Sequence, residues 1–289
     1  MELQIKKFNP PFRCNGGIHY AINPYINCAF NCTYCYANRD DKIETMAALN
    51  HFKNELKSLP PRVVEIGTST DAYQYMEKKC RLTRKIIQIL NKHRFPILIN
   101  TKSDLVLRDL DVFHEIADTM GKEWLSIGIS INKLTDNRLD VAAPAAHKRV
   151  ETLKKLLDEG INAYLRYDPV VPFYNDDETS IREVFSLFAH PATPLKRVTT
   201  STFKPTSKKI LRRVDRQLDL DGKLIRFYAD AKWIKGTLFL PNEKVKTILD
   251  KVNSIASDYN FDVATCRERI YYCSDNYCDN IDYSRNYAK

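Results

Sequence analysis

Short apolar runs rich in β-branched residues recur along the chain with helical patterns between them, and this alternation most restricts the fold. Val63–Gly67 (VVEIG), Pro96–Thr101 (PILINT), Trp124–Ile131 (WLSIGISI) and Ile161–Val171 (INAYLRYDPVV) read as strands. Near-continuous hydrophobicity over so few residues fits parallel strands covered on both faces. Lys42–Ser58, Leu82–His93, Arg108–Thr119 and Ala145–Glu159 carry helical periodicity, the last stopped by Gly160. Thr200–Lys204 and Leu224–Ala229 are candidate later strands, and Ser207–Asp219 and Asn242–Ser257 further helices. Strand–helix units about every 30 residues imply right-handed crossovers and a parallel sheet or barrel. The count, about six, falls short of the roughly eight strands of a full barrel. After Tyr259 the chain turns Tyr- and Cys-rich without helical periodicity, so residues 1–258 read as the α/β body and 259–289 as an irregular C-terminal extension.

A chain of 289 residues can bury a sizeable core. No window approaches the roughly 20 apolar residues of a membrane helix, so no membrane association is expected. The start, MELQIKKFNPPFRC, lacks the apolar core of a secretory signal. A cytoplasmic location is therefore expected, where thiols stay reduced, and eight cysteines there suggest metal or catalytic use. The net charge of +9 is concentrated: residues 194–235 hold twelve Lys and Arg against four Asp, with Phe203, Phe227, Tyr228 and Trp233 interleaved. Such a stripe suits a phosphate backbone, and Lys208, Lys209, Arg212 and Arg213 are its densest cluster. It would equally suit the solvated face of a basic protein.

Cys28, Cys32 and Cys35 lie in INPYINCAFNCTYCYANR, in Cys-x3-Cys-x2-Cys spacing after an expected first strand. A structural zinc site takes four protein ligands. Three thiolates on one loop can instead hold three irons of a [4Fe–4S] cube, leaving the fourth open. An open iron can chelate the amino and carboxylate groups of S-adenosylmethionine and pass an electron to its sulfonium, giving a 5′-deoxyadenosyl radical that the protein aims. Tyr34, just before the third cysteine, would shield the cube. A zinc knuckle lacking a ligand, or three unrelated thiols, are the alternatives.

With these residues the chain resembles the radical S-adenosylmethionine enzymes, and within them the spore photoproduct lyase-like branch. NPYINCAFNCTYCYA resembles that branch's cluster loop; IGTSTDAYQYMEKKCRLTR (Ile66–Arg84), NTKSDLVLRDLD (Asn100–Asp111), LSIGISI (Leu125–Ile131) and Ala142–Pro172 resemble its later blocks. The resemblance runs from about Gly16 to Pro172 and leaves out the basic segment and the tail. It implies a partial (β/α)6 TIM-like barrel, a [4Fe–4S] cluster, S-adenosylmethionine and a flavodoxin- or ferredoxin-type electron donor. Ala143-Pro144 stands where members carry Glu-Pro, and PFYND replaces a Pro-Gly turn.

By the same resemblance, functional groups sit at the strand tops. Ser69, Thr70 and Asp71 offer acceptors to the methionyl ammonium; the same residues also make a good capped turn. Lys102 would approach the cofactor carboxylate, Ser130 the ribose or methionyl group, and Arg166 the cofactor or a substrate phosphate.

In the tail, Cys266, Cys273 and Cys278 (Cys-x6-Cys-x4-Cys) have three readings. They could bind a second iron–sulfur cluster with Cys14 as fourth ligand. Cys273 or Cys278 could be a thiol hydrogen-atom donor, with Tyr272 or a neighbouring tyrosine relaying the radical. They could also be zinc ligands or plain thiols. For the whole chain, the leading expectation is a lyase-like enzyme of nucleic-acid repair or modification. Radical modification of a peptide or small molecule, using the second cluster, is the alternative.

Overall fold

The computed structural model describes residues 5–8, 19–37, 43–45, 49–189, 195–268, 270, 272, 277–282, 285 and 287. In chain order come β1 (Lys6–Phe8), β2 (His19–Ile22), the short ribbon β3 (Tyr25–Ile26) and β4 (Glu44–Thr45), and α1 (Leu49–Ser58). Then follow β5 (Val64–Ile66), α2 (Tyr75–Cys80), α3 (Leu82–Lys92), β6 (Ile97–Thr101), α4 (Leu110–Met120), β7 (Leu125–Ser130) and α5 (Ala146–Asp158). The second half holds β8 (Ala163–Val170), α6 (Glu178–Ser186), β9 (Arg197–Thr202), α7 (Lys208–Gln217), α8 (Lys223–Phe227), β10 (Lys232–Ile234), β11 (Thr237–Phe239), α9 (Asn242–Asp258) and β12 (Asp262–Thr265). The main sheet runs β1-β2-β5-β6-β7-β8-β9-β12, with β1 antiparallel to β2 and all other pairings parallel. It is the expected α/β partial barrel, open rather than closed.

Alternation along the strands separates two environments. Ile22, Val64, Ile66, Ile97, Ile99, Ile127, Ile129 and Leu165 are buried in one apolar core with helix residues such as Ile86, Leu90, Ile116 and Leu153. The opposite face is polar: Glu65, Asn100, Ser126, Tyr164, Arg166, Asp168 and Thr199 point into the barrel, where they bond to one another and to the tail. Apolar material thus holds the helices on, while the interior is left to chemistry.

Three expected elements differ. Leu224–Ala229 is a helix (α8), because Leu224 and Tyr228 are buried and Ile225 between them is exposed, a helical rather than a strand period. Asp215 carboxylate oxygens accept from the Gly222 and Leu224 N–H groups and start that turn. The helix expected over 42–58 begins at Leu49, since Glu44–Thr45 pairs with Tyr25–Ile26 instead. Within the expected irregular extension, β12 adds a further parallel strand beside β9.

The tail then returns to the N-terminal end of the barrel. Ser126 Oγ donates to the Asp279 carbonyl at 2.6 Å, Thr199 Oγ1 to that of Cys278, and Asn162 Nδ2 to that of Asn280 at 3.0 Å. Ser126 and Arg197 lie at the starts of β7 and β9, so residues 277–282 close the floor rather than the mouth.

Candidate active site

The loop carrying Cys28, Cys32 and Cys35 follows β2 and β3 at the barrel's C-terminal end, where the loops of such barrels carry function. Asn27 (φ 60°) and Asn31 (φ 46°) take left-handed conformations that asparagine tolerates better than most residues, and they turn the chain tightly. Gln74, fully buried, clamps the loop on both sides of Cys28: its Oε1 accepts from Ala29 N–H at 2.8 Å and its Nε2 donates to Asn27 O at 2.9 Å. Thr33 N–H donates to Leu139 O at 2.8 Å, which ties the loop to the segment after β7. Arg213 reaches in from α7, its Nε donating to Thr33 O at 2.7 Å and Nη2 to Cys35 O at 3.2 Å.

A chain of charges runs beside the cysteines. Lys102 Nζ, at the top of β6, donates to Tyr34 Oη at 2.6 Å, and Tyr34 Oη donates to Asp140 Oδ1 at 3.1 Å. Asp140 Oδ2 accepts from Arg149 Nη1 at 2.7 Å; the buried Arg149 also donates to Ser130 O at 3.1 Å and Pro144 O at 2.7 Å. Burial opposes the Lys102 charge, but Asp140 and Cys32 outweigh it, so the ammonium holds its proton more firmly than usual. Burial pushes the Cys28 thiol up to about 11 and Cys32 well above its ordinary value. Such thiols ionise when a metal's charge replaces the lost solvation.

The GTSTD turn is a brace. Gly67 sits at φ 85°, and a Cβ there would lie 2.6 Å from Thr70 O, so glycine is required. Asp71 accepts from Thr101 Oγ1 (2.6 Å), Lys102 N–H (2.8 Å) and Tyr73 N–H (2.9 Å), binding the tops of β5 and β6 together. Its carboxylate is therefore already committed to three donors. Thr70 Oγ1 donates to Tyr25 O at 3.3 Å, and Ser69 N–H to Asn23 Oδ1 at 2.9 Å. Ser130 ends β7 with its carbonyl held by Arg149.

Arg166 stands level with Ser130 on the neighbouring strand, its guanidinium donating to Asp168 Oδ2 at 2.5 Å and Asp279 Oδ1 at 2.9 Å. It is thus doubly paired within the barrel. Cys278, buried, donates to Asp279 Oδ2 at 3.1 Å. The neighbouring Cys278 thiol and the Arg166 charge lower Cys266 below its ordinary value against its own burial. Tyr272 faces away, its hydroxyl donating to Asp250 on α9. Cys14 and Cys273 lie outside the described residues.

Of the basic quartet, Lys208, Lys209 and Arg212 are exposed on α7, while Arg213 is bonded to the cluster loop. Sequence reasoning missed Gln74, Asp140 and Arg149. A buried arginine on a helix carries the same sequence signal as a solvated one, and polar clamps to backbone carbonyls leave no periodic pattern.

The three cysteines fit an iron–sulfur cube. They are part-buried, free, and close enough to feel one another's charge. Among the described residues no three His, Cys, Asp or Glu side chains converge tightly enough for a single ion. A cube takes each thiolate on a different iron, so its ligands need only ring it.

The family model of the Radical SAM superfamily matches residues 22–187, from the end of β2 to the end of α6, more than half the chain. The chain belongs to that superfamily, whose members work as enzymes with a [4Fe–4S] cluster and S-adenosylmethionine. An uncharacterised protein of Methanocaldococcus jannaschii is 32% identical over 63% of this chain and 72% of its own length. An uncharacterised protein of Mycobacterium tuberculosis is 24% identical over 62% of this chain, which spans 56% of that relative. A spore photoproduct lyase variant with a dinucleoside spore photoproduct superposes with a TM-score of 0.67 at 17% identity, over 86% of this chain and 76% of that one. Another variant, with AdoMet and the dinucleoside bound, gives 0.66 at 17% identity, over 84% and 75%. At such identities the likeness is one of fold. No helix among the described residues is long and apolar enough to cross a membrane.

Proposed function

We propose that this enzyme cleaves S-adenosylmethionine reductively and directs the resulting 5′-deoxyadenosyl radical at nucleic acid, in a lyase-like repair or modification reaction. The observation that carries the chemistry is the three-cysteine loop set beside Lys102 at the barrel mouth. When bound, a cube held by Cys28, Cys32 and Cys35 supplies an open iron and one electron. Among the described residues Lys102 uses one of its three N–H donors, on Tyr34, so two remain for the cofactor carboxylate. Arg149 and Asp140 hold Tyr34 and Lys102 in place. Ser69 and Ser130 line the strand tops where the rest of the cofactor would lie. Level with Ser130 across the β7–β8 pairing, Arg166 is held by Asp168 and Asp279, so the barrel interior beside the strand tops carries paired charge.

The substrate class is supported by the fold shared with a lyase that holds a dinucleoside, and by the β10–β11 hairpin. Trp233 is 45% exposed there between exposed Lys232 and Lys235. The hairpin is rooted at the mouth, because Leu238 N–H donates to Pro205 O at 2.9 Å, just past β9. An exposed ring flanked by ammonium groups suits base stacking and phosphate contact. Replacing Trp233 by Ala should weaken oligonucleotide binding by about 1–3 kcal/mol, measured by fluorescence anisotropy, without lowering thermal stability. Unchanged binding, or no oligonucleotide-stimulated 5′-deoxyadenosine release in the unaltered enzyme, would point to a peptide or small-molecule substrate instead.

A further inference from the structure

Lys209, Arg212, Arg213 and Arg216 follow one another at i, i+3, i+4 and i+7 and so share one face of α7. The opposite face, Ile210, Leu211, Val214 and Asp215, is buried. Arg213 stands at the margin of the basic stripe and grips the carbonyls of Thr33 and Cys35. Lys209, Arg212 and Arg216 are exposed, and among the described residues none of them has an ion-pair partner. Three unneutralised cations thus sit on solvent within one helix of the loop that carries Cys32 and Cys35.

Such a face could meet nucleic acid or an acidic protein, and its place beside the cysteine loop favours the protein. Residues 208–217 contain no aromatic side chain, so the stripe offers charge without a stacking platform. The exposed ring of this basic segment is on the β10–β11 hairpin instead. Charge alone, at the rim of a redox site, steers and orients an oppositely charged partner. Before the proposed reaction can begin, the cluster must take up one electron from outside, delivered close to the cysteines.

We infer that the Lys209–Arg212–Arg216 face of α7 is the docking surface for an acidic one-electron carrier protein of the flavodoxin or ferredoxin type. Arg213 is a positioning residue that couples this helix to the cysteine loop. The reduced carrier is oxidised by one electron as that electron passes to the cluster; no bond forms or breaks at this step. The inference rests on the reading of the Cys28–Cys35 loop as a cluster site.

The test uses the full chain, anaerobically reconstituted, with a flavodoxin as probe. Charge reversal at three positions (Lys209→Glu, Arg212→Glu, Arg216→Glu) should weaken binding of oxidised flavodoxin about tenfold or more at low salt. The difference should shrink as salt screens it. Flavodoxin-driven bleaching of the cluster absorbance should slow, while dithionite-driven bleaching, and oligonucleotide binding at physiological salt where the general field is screened, stay within about twofold. The triple glutamine variant should fall between the two and guards against misfolding of the reversed one. Flavodoxin binding unchanged by reversal, or oligonucleotide binding lost in step with it, would overturn the assignment. Failure of dithionite to bleach even the unaltered protein would overturn the cluster reading beneath it.

Discussion

A methyl group on Gly128 would lie 2.4 Å from Asn100 Oδ1 and 2.6 Å from Tyr164 Cζ. The missing side chain lets Tyr164 donate to Asn100 across β7 at 2.6 Å, in the middle of the barrel. Gly128→Ala should therefore cost about 1–3 kcal/mol by overpacking, read from the midpoint of denaturant unfolding; a neutral result would mean the interior is looser than drawn. Arg149 makes the complementary case, because its buried charge holds Asp140, Ser130 and Pro144 together. Arg149→Met leaves the Asp140 carboxylate with Lys102, 3.8 Å away, as its remaining ion-pair partner among the described residues. A loss of about 3–5 kcal/mol is expected, the size associated with breaking a buried pair. Stability within 1 kcal/mol of the parent protein, in the same unfolding assay, would argue against the pair's burial.

At the scale of elements, β8 carries charge where a buried strand would ordinarily carry none. Burial pushes the Asp168 carboxyl up, but Arg166, Lys204 and the Ser201 hydroxyl outweigh it and hold it below its usual range. A carboxylate depressed in this way stabilises the fold above its unfolded value, about 3.9, and that contribution fades as pH falls through the folded value. Arg166→Met removes the main compensation, so Asp168 protonates at higher pH and the acid-unfolding midpoint should move toward neutrality. Circular dichroism against pH follows this directly, and a midpoint that stays put would mean Arg166 and Asp168 are not paired in solution. The same pairing explains why the tail matters: Asp279, on the floor segment, is the second anion on Arg166.

Across the whole molecule, the βα rhythm was legible because strands covered on both faces are apolar nearly throughout, whereas helices between them repeat at 3.6. The cysteine loop was legible because its spacing and strand context are local. Long-range polar bonds were not. Nothing in the residues around Arg213 marks it as a grip on Thr33 and Cys35, 180 and 178 positions away. Residues 277–282 join the floor through donors on β7, β9 and Asn162, which bond backbone carbonyls and leave no side-chain pattern. The Leu224–Ala229 run was misread because six apolar-rich residues fit either period until their burial is known.

The central claim is that Cys28, Cys32 and Cys35 hold a cube with an open iron that cleaves the cofactor. Anaerobic reconstitution followed by iron analysis and 5′-deoxyadenosine measurement tests it most directly. The account predicts about four irons per chain, reductive 5′-deoxyadenosine formation, and loss of both when any one of the three cysteines becomes Ala. A content near eight would add a cluster on Cys266 and Cys278 without disturbing that claim. Iron content and cofactor cleavage that survive substitution of all three cysteines would contradict it.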